Sequence, residues 1–103
     1  MALVKTATLN FPPSGSPDVT GYKLYMEEAP TPVTYDSPSF DLGNVSSVDL
    51  STLPGMTSTD GTYNLGVAAI DDANNESSMS KIDDVALDFS APDAPGALTI
   101  DRV

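Results

Sequence analysis

The chain has no cysteine, no histidine and no tryptophan. Without cysteine no disulfide staples the fold, and thiol chemistry is excluded. Without histidine a Ser–His–Asp relay is excluded, and so are His-based metal centres. Basic residues are also scarce. Lys and Arg number 4 against 15 Asp and Glu, giving a formal net charge of −11 over 103 residues. Neutralising phosphates takes Lys and Arg, so nucleic acid is not an expected partner. No stretch approaches the ~18 apolar residues of a membrane helix, so membrane insertion is not expected. No basic segment with a following apolar run succeeds Met1, so no signal peptide is read.

What is present fits one small domain. Hydrophobic residues make up 40% of the chain, an ordinary share for a globular core. The 9 prolines and 7 glycines are spread along it and oppose long helices.

The clearest pattern runs from Gly61 to Ser77. Tyr63, Leu65, Val67 and Ala69 alternate with other residues, which places them on one strand face. Asp71-Asp72-Ala73-Asn74-Asn75 then breaks the strand with residues that tolerate left-handed backbone. Similar alternation predicts strands over 3–11 (Ala7, Leu9 and Phe11 inward), 20–27 (Tyr22, Leu24 and Met26 on one face) and 45–50 (Val48 and Leu50 inward). A last strand is predicted over 78–89, with Val85, Leu87 and Phe89 alternating. Residues 33–42 read as an edge strand interrupted at Pro38. Residues 12–18, 28–32 and 53–61 read as loops. Residues 90–96 read as a linker, and Ala97-Leu98-Thr99-Ile100 as one more strand candidate. The fold class expected is all-β: an immunoglobulin-like antiparallel sandwich of about seven short strands. The core is expected to rest on Leu9, Phe11, Tyr22, Leu24, Val48, Leu50, Tyr63, Leu65, Val67 and Leu87.

The order of these segments resembles a fibronectin type III domain of the bacterial kind, over about residues 5–89. Gly21-Tyr22-Lys23-Leu24-Tyr25 resembles the family's strand C. Asp41-Leu42-Gly43-Asn44-Val45, with Val48-Asp49-Leu50, resembles its C′-to-E passage. Leu53-Pro54-Gly55 and Tyr63 resemble its Leu-x-Pro and tyrosine pair. Val67-Ala68-Ala69-Ile70-Asp71 and Asn75-Glu76-Ser77 resemble strand F and its turn into G. Phe11 stands where the family usually has a core Trp, and Met56-Thr57-Ser58-Thr59 lengthens the loop before Tyr63. The chain opens at the family's strand B, while residues 91–100 resemble its strand A. The resemblance therefore divides the chain into a sandwich over 1–89 and a linker with a strand-A-like segment over 90–103. An open edge recruits a strand, so a strand-swapped homo-oligomer is one expectation and a passive tail the other. Seven extended linker residues reach about 23–25 Å, which barely permits closure within one chain.

Chemistry-bearing groups are few. Asp71, Asp72, Asn74, Asn75 and Glu76 gather oxygens in six positions, and a flexible oxygen-rich loop suits Ca²⁺. The EF-hand spacing is lacking. The first reading is a turn with Asn74 at positive φ and Asp71 bonding backbone amides; metal ligation by Asp71, Asp72, Asn74 and Glu76 is the second. Asp83, Asp84 and Asp88 read as a solvated face or a guard against edge pairing. Tyr25 and Tyr35 read as partly exposed aromatics; the first reading is packing, as for most tyrosines on an edge strand, and stacking on a sugar or anchoring a protein partner is the second. No cofactor is expected and no enzyme. The expected role is a spacer, scaffold or interaction module of a larger cell-surface or secreted protein, contacting protein: itself or neighbouring domains. A self-assembling virion or surface-layer subunit, and a carbohydrate- or calcium-binding module, are the alternatives.

Overall fold

The computed structural model describes residues 7–55, 60–89 and 92–102. Six strands follow in chain order: β1 (Thr8–Asn10), β2 (Val19–Glu28), β3 (Ser39–Gly43), β4 (Ser47–Asp49), β5 (Gly61–Asp71) and β6 (Ser80–Leu87). They form two antiparallel sheets, one of β1 and β4, the other in the order β3-β2-β5-β6. The protein is an all-β sandwich.

The frame is the β2–β5 ladder, which runs from Val19 opposite Asp71 to Glu28 opposite Tyr63. Period two sends Leu24 and Met26 of β2 to the same face as Leu65 of β5. There they bury with Leu50, Leu87 and Phe89. Leu9 of β1 and Val48 of β4 sit directly opposite each other and close this cluster from the small sheet. Leu24 is fully buried. Burying a side chain of this kind contributes about 1.5–3 kcal/mol.

The other face of the large sheet is covered at its centre, over β2 and β5. Tyr25 and Ala68 point there and pack with Val33 and Met79. The sequence predicts one core between two sheets, and the structure adds a smaller one outside. Tyr25 is thus buried, not partly exposed. Residues 33–38 are the cover: Val33 is buried in a loop, and strand pairing begins only at Ser39. The predicted interruption at Pro38 is where the strand starts.

Other boundaries shift for local reasons. The strand predicted over 45–50 ends at Asp49, whose side chain accepts the Ser51 amide at 3.0 Å and caps a 3-10 turn over Leu50–Thr52. Leu50 still reaches the core from that turn. The predicted strand over 3–11 is described as strand only over 8–10; its residues 3–6 lie outside the described residues, as do 56–59 of the predicted loop insertion. The candidate strand 97–100 carries no strand pairing among the described residues, and Leu98 and Ile100 are 93% and 80% exposed. The longest dimension is 74 Å against 27 and 20 Å across.

Candidate functional site

Two-sheet sandwiches expose strand edges, and each edge here is built differently. The β6 edge carries Lys81, Asp83 and Asp84. It also holds a bulge. Tyr63 pairs with Val85 and Leu65 with Ile82, so two residues of β6 face one of β5. Charge and a bulge both oppose further pairing. The β3 edge carries Asp41. β1 has no such guard: Thr8, Leu9 and Asn10 are uncharged.

The ladder fixes which backbone groups of β1 are free. The Phe11 amide donates to the Ser46 carbonyl at 3.0 Å, and the Leu50 amide to the Ala7 carbonyl at 2.8 Å. Backbone groups of alternate residues point to opposite sides of a strand. Ala7, Leu9 and Phe11 therefore face β4, while Thr8 and Asn10 turn their N–H and C=O groups outward. Among the described residues β1 pairs with β4 alone.

Beside that edge lies a trough of about 200 Å³ between β1 and β6. Leu9, Phe11 and Pro12 form one wall. Leu65 and Val67 form the floor, and Ser80, Lys81 and Ile82 the other wall. Ile82 is 52% exposed. Phe11 is held by Tyr22, their rings 4.9 Å apart and tilted by 58°. The Tyr22 hydroxyl accepts the Ser14 amide at 2.7 Å, which pins the loop after β1. An unpaired strand edge beside an apolar trough is built to take backbone hydrogen bonds and aliphatic side chains together.

The oxygen-rich turn is organised around itself. Asp71 Oδ1 accepts the amides of Ala73 at 3.0 Å and Asn75 at 2.8 Å, and Oδ2 accepts the Asn75 side-chain amide at 3.1 Å. These bonds to Asn75 and Ala73 hold the Asp71 carboxyl below its ordinary pKa. Asn74 has φ +64°. Glu76 points elsewhere: its Oε1 accepts the Tyr25 hydroxyl. The Asp71 and Glu76 carboxylates thus serve separate structural bonds, Asn74 contributes its backbone amide to the Asp71 carbonyl at 3.1 Å, and Asp72 is exposed. Among the described residues no three acidic side chains converge as a metal site would require.

The outer tyrosines form a second feature. Tyr35 meets Tyr25 edge-on, ring centroids 5.8 Å apart at 82°, and its hydroxyl donates to the Ser77 carbonyl at 2.7 Å. Lys23 Nζ lies 5.6 Å over the Tyr25 ring. Burial pushes the Tyr25 hydroxyl up to about 12, assisted by its bond to Glu76 and the charge there. Tyr35 is 53% exposed but tethered. Its ring borders a shallow hollow of about 380 Å³ with Val33, Met79 and Lys81.

Comparison with protein-family models, with curated proteins and with solved structures found no match.

Sequence reasoning missed the trough. Strict alternation back from Val85 puts Ile82 on the opposite face. The extra residue in β6 reverses that parity and brings Ile82 opposite Leu65. The adjacent Asp83-Asp84 pair was the available signal, since Asp tolerates the left-handed backbone a bulge demands.

Proposed function

We propose that the protein is a non-catalytic structural and interaction module, a fibronectin type III-like sandwich acting as spacer or scaffold within a cell-surface or secreted assembly. The observation that carries this reading is the uncharged edge of β1 beside the trough lined by Leu9, Phe11, Leu65, Val67 and Ile82. An apolar groove along a strand edge suits protein contact by strand addition. The two-sheet frame, with side chains packed on both faces of its central strands β2 and β5, suits a rigid unit that sets distance between neighbours. The net charge of −11 keeps such units apart except where an uncharged surface meets another.

The test is nuclear magnetic resonance titration of the full chain with Ca²⁺ and with a panel of oligosaccharides. Shifts that never saturate at residues 12–18, 60–61 and 71–76 support the module. A saturable response confined to one of those loops overturns it in favour of ligand binding.

A further inference from the structure

The trough and the chain's C-terminal segment have matching properties. Ala97-Leu98-Thr99-Ile100 is uncharged, and so are Thr8, Leu9 and Asn10 of β1. In a chain with 15 acidic residues these are two of few places where strands approach without repulsion. Leu98 and Ile100 are two apart, so in extended form they share one face. They are 93% and 80% exposed in the single chain, while the trough beside β1 stands open. Two large aliphatic side chains held in water cost the free energy that burial returns. The segment's own sandwich does not cover it.

We propose that residues 97–100 of one copy add as a strand to the free edge of β1 in a second copy, seating Leu98 and Ile100 in the trough between β1 and β6. The Thr8 and Asn10 backbone groups supply the hydrogen bonds, and Leu9, Phe11 and Ile82 receive the side chains. The contact joins the tail of one copy to the edge of the next. It is heterologous, so it either closes by reciprocal exchange in a dimer or propagates as a chain. This rests on the reading as an interaction module and names its partner.

The experiment is light scattering after size exclusion on the full chain, loaded from about 10 µM to 1 mM, the range a contact under ~1,200 Å² calls for. The expected result is mass rising with concentration. Leu98→Asp with Ile100→Asp should raise the dissociation constant at least tenfold with an unchanged melting temperature for the monomer. Asn10→Pro, which removes an outward amide without touching the β1–β4 ladder, should do the same. Should Asn10→Pro fail to fold, Ile82→Lys replaces it, since that side chain is half exposed. Mixing the tail-defective with the edge-defective chain should restore a one-to-one dimer, because each keeps the half the other lacks. A full chain that stays monomeric at every loading overturns the proposal. So does an oligomer that survives the tail substitutions. Either result leaves the interaction module open to other partners, whereas a saturable loop ligand removes that broader reading.

Discussion

The side-chain oxygen of Asn64 accepts the backbone amide of Asp84 at 3.0 Å. Asp84 has φ +57° and sits in the bulge of β6, opposite the one position of β5 that the ladder skips. The other end of the same side chain donates from Nδ2 to the Thr31 carbonyl at 2.9 Å. Asn64 is buried, so this single amide ties the outer loop, β5 and the bulge together. A buried polar group is tolerable here because both of its ends are satisfied.

Asn64→Ala therefore removes two bonds and leaves a carbonyl and an amide with lost partners. The expected loss is about 1–3 kcal/mol. Urea denaturation should show a lower midpoint with an unchanged slope. A midpoint equal to that of the parent protein would falsify the clasp.

Asp84→Gly keeps the backbone bond to Asn64 and relieves the left-handed strain. It should be neutral or stabilising by up to about 1 kcal/mol. A substantial fall in thermal midpoint would mean the Asp84 carboxylate has a structural role of its own.

Gly66 lies under the outer cluster. A Cβ there would stand 2.8 Å from Met79 Sδ and 3.2 Å from Val33 Cγ1. Gly66→Ala should cost about 1–3 kcal/mol by overpacking. Adding Met79→Ala clears the nearer clash, so the double variant should lose less than the sum of the two single losses. Simple additivity in chemical denaturation would show that the two residues do not meet.

Alkali should expose Tyr25. Its pKa is raised from 10.0 to about 12, chiefly by burial. A hydroxyl that ionises later in the folded state binds a proton the unfolded chain has already lost. Its contribution is intact below about pH 10, falls as the pH rises from 10 to 12, and is gone above. Tyr25→Phe should flatten the stability profile in that window, measured by urea midpoints across pH 9–12. Identical profiles for the two proteins would reject the assignment.

Asp71 acts in the opposite direction. Its pKa is lowered from 3.8 by bonds to Asn75 and Ala73. Its contribution is present above the unfolded value and is lost as the pH falls through the folded one. Asp71→Ala should be less stable than the parent protein at neutral pH and lose less on acidification. The two thermal midpoints should converge in strong acid; a constant gap down to pH 2 would refute the turn's dependence on that carboxylate.

Strand identity was legible in the residues. Tyr22, Leu24 and Met26, and Leu65 and Val67, alternate with period two, and a half-buried strand imposes that period. The turn at Asp71 was equally legible, because Asp and Asn bond their own backbone. Those signals are local, and together they determine an all-β chain with a core around Leu24, Leu50, Leu65 and Leu87. Tertiary structure alone decided the rest. Tyr25 and Ala68 look like an outward face until Val33 and Met79, which lie in connections outside both strands, fold over them. Ile82 looks outward until one extra residue in β6 reverses its parity. The open edge of β1 among the described residues depends on which strands pair, and pairing depends on contacts between residues some forty positions apart, as with Leu9 and Val48. Periodicity specifies a face; only packing specifies what covers it.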